Sequence, residues 1–328
     1  MEEQSKTVNK MTKVSVVIPV YGVEKYIERC ARSLFEQTLN EMEYIFINDC
    51  TPDASMQILR TVLEDYPHRK NQVLIINHPI NQGAAKAREN GMRTAKGEYV
   101  IHCDSDDWVE RDMYRTMYNK AKANNSDIVI CKYKEVCSQT ERTCSQFLGS
   151  NPTSKIIASP VLCSLFNKLV RREIISSHNI HYPTHHMMED AVLCSQIFYY
   201  AESIAYIDSS FYFYRINNES ICHVSTEDSD LRRWKDSYEN VKIIESFLKE
   251  QGVDKIYKKE LMQSKANVKG FLMPQLQKSN KYYKLWHDTF SEINWRYPFT
   301  KEVNLTLRIV FFLTLIRIYP YFHRLIKK

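Results

Sequence analysis

Cysteine pairs with Cys-x-x-Cys spacing are missing from this 328-residue chain, although it carries nine cysteines. Several lie in apolar runs, as at Cys50, Cys103, Cys131 and Cys194. That usage fits reduced thiols in a cytosolic compartment and supports neither a disulfide framework nor a zinc knuckle. Also missing is an apolar signal core: Met1 to Lys13 is polar, so secretion is not expected. No uncharged apolar run approaches the roughly 20 residues needed to cross a bilayer. There is no internal repeat. Neither charge dominates, since 45 Lys and Arg against 39 Asp and Glu leave a net charge of +6. The bases crowd toward the C-terminus, at 255–259 and 317–328, which favours anionic partners there. A nucleic-acid partner is not expected.

What is present is room for one large α/β domain and a smaller appendage. Strand-like and helix-like segments alternate through the first part: strands at 14–20, 44–48, 73–77, 99–103 and 128–133, helices at 24–37, 53–66 and 83–95. Short, continuously apolar strands separated by helices predict a Rossmann-like, mostly parallel sheet covered on both faces. Beyond residue 134 the pattern loosens. A polar stretch covers 135–157, a helix-like one 165–175, a loop 178–186 and a helix 188–201, with strand-like pieces at 204–207 and 211–216. From 228 to 295 the chain reads as charged and helical, with Pro274 as a break. The resulting division is a polar tail at 1–12, a main domain at 13–225, a helical C-terminal region at 226–300 and a basic apolar tail at 301–328.

The densest chemistry is at Tyr99 to Asp107, an apolar run ending in Asp104, Asp106 and Asp107. Open α/β sheets place ligands at such strand tips. Alternation along an extended segment sends Asp104 and Asp106 to one side and Asp107 to the other. Two converging carboxylates repel unless a hard divalent cation, Mn²⁺ or Mg²⁺, sits between them and a diphosphate. Asp107 has a simpler role available, as cap of a helix beginning at Trp108 with Glu110 completing a capping box.

Three more segments point to a nucleotide. Pro19 ends the first strand before Tyr21 and Gly22, so the chain can turn over a ligand. Asp49 sits at the second strand tip, placed to accept from a nucleobase, while Asp53 suits a helix N-cap. Asn81-Gln82-Gly83 opens a helix whose small residues allow close approach and whose Lys86 and Arg88 suit phosphate.

In this order and spacing, Val16-Val17-Ile18-Pro19-Val20-Tyr21, Asn48 to Asp53, Asn81-Gln82-Gly83 with Ala87-Arg88-Glu89-Asn90, and Asp104-Ser105-Asp106-Asp107-Trp108 resemble a family 2 glycosyltransferase with the GT-A fold. The resemblance covers about residues 12 to 225. It implies that Pro19, Tyr21 and Asp49 hold the nucleobase, Asp104 the ribose and Asp106 a metal on the sugar diphosphate. Val20, Glu24, Asn81, Gly83, Lys86, Arg88, Ser105 and Arg215 complete the implied nucleotide-sugar site, and Asp104 and His223 the implied metal site. Two positions depart from the family: Gly22 stands where Asn is usual, and Asn48-Asp49-Cys50-Thr51 replaces Asp-Asp-Gly-Ser.

The family also carries an acidic motif at the start of a later helix, which Glu189-Asp190 matches. Inverting transfer needs one base for the acceptor hydroxyl, and the resemblance points to Asp190 with Glu189 as second choice. Tyr214-Arg215 and Ser220-Ile221-Cys222-His223 resemble the end of the catalytic domain. Lys168 is a candidate acceptor contact beside its simpler reading as part of a solvated helix face. His178, His181, His185 and His186 fit no standard zinc spacing. The expected function is inverting, metal-dependent sugar transfer from a UDP-sugar to a hydroxyl of a glycan or lipid-linked glycan, as in surface polysaccharide synthesis. A sugar nucleotidyltransferase would need a Gly-rich, Arg-containing loop after the first strand, and a noncatalytic binding module would have no need of both Asp106 and Asp190. The basic, aromatic tail suits either the cytoplasmic membrane surface or docking on the core.

Overall fold

The computed structural model describes residues 11–137, 140–216, 226–301 and 303–318. The chain divides into two compact units that interleave in sequence. Met1–Phe147, Ser164–Tyr182 and Tyr199–Asn217 form the first, and Leu148–Cys163, Pro183–Phe198 and Asn218–Lys328 the second.

The first unit holds all nine strands of the described residues: β1 (Val14–Val20), β2 (Met42–Asn48), β3 (Val73–Asn77), β4 (Tyr99–His102), β5 (Trp108–Val109), β6 (Ile128–Val136), β7 (Glu141–Cys144), β8 (Lys168–Arg171) and β9 (Ile204–Arg215). Its helices are α1 (Ile27–Phe35), α2 (Ser55–Glu64), α3 (Ala84–Thr94) and α4 (Met113–Asn124), with the short α6 (Arg172–Ser177) after α5 (Pro152–Ala158) of the second unit. The sheet runs β3-β2-β1-β4-β8-β6-β9-β5, with β7 paired to β6. The β-branched run of β1 is buried along nearly its whole length because helices cover both of its faces. Val14, Val16, Ile18 and Val20 pack with α1 and α4 residues such as Ile27, Leu34, Tyr114 and Met117. On the other face α3 lies so close that a Cβ on Gly91 would stand 2.4 Å from Val17 Cγ1.

β1 pairs in parallel with both β2 and β4. From β1 the chain therefore runs outward to β3 and returns to the other side of β1, which leaves a crevice at the strand tips where the winding reverses. Beyond β4 the parallel pattern is interrupted where β8 enters antiparallel between β4 and β6, and β6 and β9 then pair in parallel.

Three local expectations are corrected. Residues 168–171 are strand rather than helix, because the same apolar spacing suits both periods and pairing with β4 and β6 decided it. The pieces at 204–207 and 211–216 form one strand, β9, bulged where it pairs with β6 near Lys132. The polar stretch at 135–157 contains β7 and α5.

The second unit contains α5, the start of α7 (Glu189–Tyr200), α8 (Glu227–Glu250), α9 (Lys258–Gly270), α10 (Asn280–Asp288) and α11 (Leu305–Leu315). Thr226 and Ser229 cap α8 reciprocally. Pro274 ends the α9 stretch in a short 3-10 turn, as a missing N–H requires.

Candidate active site

The loops following β1 and β2 are stitched together by their own polar groups. Gly22 N–H donates to Thr51 Oγ1 at 2.9 Å, Val23 N–H to Ser55 Oγ at 3.1 Å and Glu24 N–H to Asp53 Oδ2 at 2.9 Å. In return, Glu24 accepts from Ala54 N–H at 3.1 Å. Burial works against the Asp53 charge, but donors from Ser55, Thr51 and Glu24 outweigh it and hold its pKa down to about 2. Both departures from the family pattern fall on left-handed backbone: φ is +68° at Gly22 and +57° at Cys50. Glycine takes the first without strain, whereas Cys50 carries the penalty of a Cβ there.

Asp49, 2% exposed, is the anchor of the adjoining loop. It accepts from Gln82 N–H at 2.8 Å and Gly83 N–H at 2.7 Å, and its Oδ1 lies 2.7 Å from His78 Nδ1. Asn90 Nδ2 meets the other ring nitrogen of His78 at 2.8 Å. An Asn90–His78–Asp49 chain thus pins the turn that starts α3, where Gly83 adopts φ 85° and ψ 163°, a conformation that favours glycine. The bases in the first turns of α3, which the helix dipole disfavours, are explained by partners: Lys86 pairs with Glu89 at 2.8 Å and Arg88 with Asp104 at 2.7 Å.

The carboxylate loop after β4 separates into distinct environments. Asp107 is not a helix cap. It is 1% exposed, and its carboxylate accepts from Tyr212 O–H at 2.6 Å and Arg215 N–H at 2.7 Å, while α4 starts only at Met113. Burial, then the charges of Asp106 and Asp104, push its pKa well above the carboxylate range. Tyr212 also accepts from Asp104 N–H at 3.0 Å, so one phenol ties the loop to β9. Arg215 donates from Nε to the Asp106 carbonyl at 3.1 Å and lies 4.4 Å over the Tyr26 ring. Arg29 stacks 3.2 Å over Trp108, and burial, then the neighbouring Arg215, lowers its pKa.

Asp106 is different. Among the described residues no other side chain donates to its carboxylate, and burial, then Asp104, push its pKa up to about 6. An acceptor-only group held against a second carboxylate fits a divalent cation. No group of three His, Cys, Asp or Glu among the described residues forms a cation cage by itself. Magnesium-type ions, however, are held by one or two carboxylates plus substrate phosphates, a donor set that Asp106 and Asp104 match. His223 lies outside the described residues.

Of the remaining candidates in this unit, Tyr21 is 51% exposed and open to a ring ligand, Asn81 is exposed and Pro19 half-buried. Val20 is fully buried in the core, and Ser105 is 5% exposed. Lys168 is corrected from a solvated helix position: it is 1% exposed on β8, with Nζ donating to Gln146 Oε1 at 2.6 Å and Ser164 O at 2.7 Å.

Glu189 and Asp190 open α7 in the second unit, Glu189 buried and Asp190 half-buried. The residue before them, Met188, is left-handed at φ +64°. Within that unit Asn240 of α8, fully buried, donates to His185 O at 2.9 Å and Met187 O at 2.8 Å and so positions the approach to α7. His185 Nδ1 lies 3.6 Å from Asp236. The sequence reading missed His78, Tyr212, Arg29 and Asn240. His78 was findable as the polar residue directly after β3, but the other three acquire meaning only from partners distant in sequence.

The family model described as Glycosyl transferase family 2 matches residues 15–159. Cholesterol galactosyltransferase of Borreliella burgdorferi is 30% identical over 76% of this chain and 73% of its own length. EpsH of Bacillus subtilis, a protein named as a glycosyltransferase, is 33% identical over 63% of this chain, and the chain spans 62% of the length of EpsH. Among solved structures, S. aureus TarS 1–349 in complex with UDP-GlcNAc superposes with a TM-score of 0.68 at 21% identity, covering 94% of this chain and 89% of that one.

Proposed function

The chain belongs to glycosyltransferase family 2 and has the GT-A fold, and from that premise we propose that it transfers a sugar from a UDP-sugar to a hydroxyl of a glycan or lipid-linked glycan, with inversion, in surface polysaccharide synthesis. The observation that carries the reading is Asp106, a carboxylate without a side-chain donor, raised in pKa beside Asp104 at the crevice of the sheet. That TarS was crystallised with UDP-GlcNAc supports the choice of a uridine donor here.

Tyr21, exposed at the β1 tip, offers its ring to the nucleobase, and the Asp49-pinned Gln82-Gly83 turn shapes the same end of the pocket. Arg88 holds Asp104 in place through their ion pair. Arg215 and Arg88 place positive charge by Asp106, and Arg29 lies beside Arg215, which suits a diphosphate. A Mn²⁺ or Mg²⁺ ion held by Asp106 and Asp104 would, when bound, offset charge on the departing diphosphate. Asp190 takes the acceptor hydroxyl proton as that oxygen bonds to the anomeric carbon and the carbon–diphosphate bond breaks. The reaction is placed on the cytoplasmic side, at the membrane surface.

The test is release of UDP from a panel of UDP-sugars with Mn²⁺ or Mg²⁺. Asp106→Ala is expected to abolish release and to remove the thermal stabilisation by UDP with Mn²⁺. Unchanged release by that variant would overturn the reading.

A further inference from the structure

We propose that a face of the second unit formed by Trp295, Phe299 and one side of α11 rests on a bilayer rich in anionic phospholipid. The inference rests on the membrane-surface location proposed above, and names the lipid class and the residues that meet it.

α11 is apolar on two sides, and only one of them is used. Phe311 seats the helix, with its ring 4.9 Å from that of Trp286 and 4.7 Å from that of Tyr297, and Thr314 is buried beside it. At 100° per residue, Leu305, Ile309, Phe312 and Ile316 fall within about 60° of one another, roughly opposite Phe311 and Thr314. Along that stripe Leu305 is 63% exposed, Ile309 49% and Ile316 38%. A surface helix ordinarily presents charge there instead.

The stripe continues onto separate backbone. Phe299, at the end of a 3-10 turn, lies 6.1 Å from the Phe312 ring, and both Phe299 and Trp295 are 63% exposed. Large aromatic and aliphatic side chains gathered on one exposed face mark an interaction surface.

The charge around this face selects the occupant. Residues 295–318 carry Arg296, Lys301, Arg308 and Arg317 against the single acid Glu302. Among the described residues none of these four bases pairs with a carboxylate. Arg308 donates from Nε to the Pro298 carbonyl at 2.7 Å, and Arg317 lies 5.4 Å over the Tyr283 ring. Apolar side chains in a segment whose bases have no carboxylate partner, together with an exposed tryptophan, fit the headgroup region of an anionic leaflet. No helix among the described residues is long and apolar enough to cross a membrane, so the contact lies in the interface plane.

The full chain is sedimented with vesicles of phosphatidylcholine alone and of equal parts phosphatidylcholine and phosphatidylglycerol. The wild type is expected to sediment only with the anionic vesicles, with Trp295 emission shifting to the blue. Arg296→Gln with Lys301→Gln should bind about 30-fold more weakly, at about 1 kcal/mol per base near the surface. Trp295→Ser with Ile309→Ser should abolish sedimentation at every salt concentration. Both variants keep the wild-type circular dichroism and UDP release in solution, which separates loss of this surface from loss of the fold or of the proposed chemistry. Equal binding to neutral vesicles, wild-type affinity in the Arg296/Lys301 variant, sedimentation of the Trp295/Ile309 variant, or a face that proves to hold a second copy of the chain in solution would each overturn the proposal. Failure of vesicle binding with UDP release intact would leave the transferase reading standing.

Discussion

Cys50 offers a direct test of the backbone argument at the β2 tip. Its φ of +57° places an L-residue with a full side chain in the left-handed region, at a cost of roughly 1–2 kcal/mol. The thiol is exposed and makes no hydrogen bond among the described residues, so replacing it with glycine loses no packing or pairing. Glycine gives back part of the gain through the greater freedom of the unfolded chain, about 0.4–1 kcal/mol. The net expectation is that Cys50→Gly stabilises the nucleotide-free protein by about 0.5–1 kcal/mol. Cys50→Val, branched at Cβ, should destabilise it by at least as much. Urea denaturation of the three proteins at one pH, read through the midpoint at constant slope, measures both changes. A glycine variant less stable than wild type, or a valine variant equal to it, would refute the claim of strain.

Replacing His78 with alanine breaks the Asn90–His78–Asp49 chain and leaves a buried carboxylate short of a partner; the expectation is a stability loss of about 2 kcal/mol together with a raised KM for the donor, and an unchanged KM would return His78 to a purely structural role. Asp190→Asn should bind UDP as wild type does yet lose transfer, because proton removal and donor binding use different carboxylates; near-normal transfer would move the base to Glu189. Lys269, buried with Nζ donating to the Trp286 and Thr289 carbonyls, has its pKa lowered by burial to about 7 from 10.5. Between those values the unfolded chain binds more protons, so stability should rise with pH, by roughly 2 kcal/mol from pH 7 to 9. Denaturation midpoints should show that slope in wild type and not in Lys269→Met.

The helices and strands of residues 14–103 were legible because each has one apolar period over enough residues to leave no alternative. The tips of those strands were legible for the same reason: Asp49, Asp104 and Asp106 stand within three residues of the end of an apolar run. The reading failed where two roles share one local pattern. Asp107-Trp108-Val109-Glu110 has capping-box spacing, yet Tyr212 and the Arg215 N–H claim the Asp107 carboxylate from β9. Leu165 to Ile175 satisfies a helical period, yet residues 168–171 became a strand between β4 and β6. Of the tail, read as suited to a membrane surface or to docking, α11 buries Phe311 and Thr314 and leaves Leu305, Ile309 and Ile316 exposed, while residues 319–328 lie outside the described residues.

The amino-acid sequence by itself determined the alternation of β1 to α3, the family and the order of polar residues along the strand tips, since all of these depend on neighbours within a few positions. Tertiary structure alone decided which carboxylate stays without a side-chain donor. Arg88, Tyr212 and Arg215 lie 16 to 109 positions away from the aspartates they engage, and only the folded sheet brings them within hydrogen-bond reach, where burial and neighbouring charge set Asp106 apart from Asp104 and Asp107.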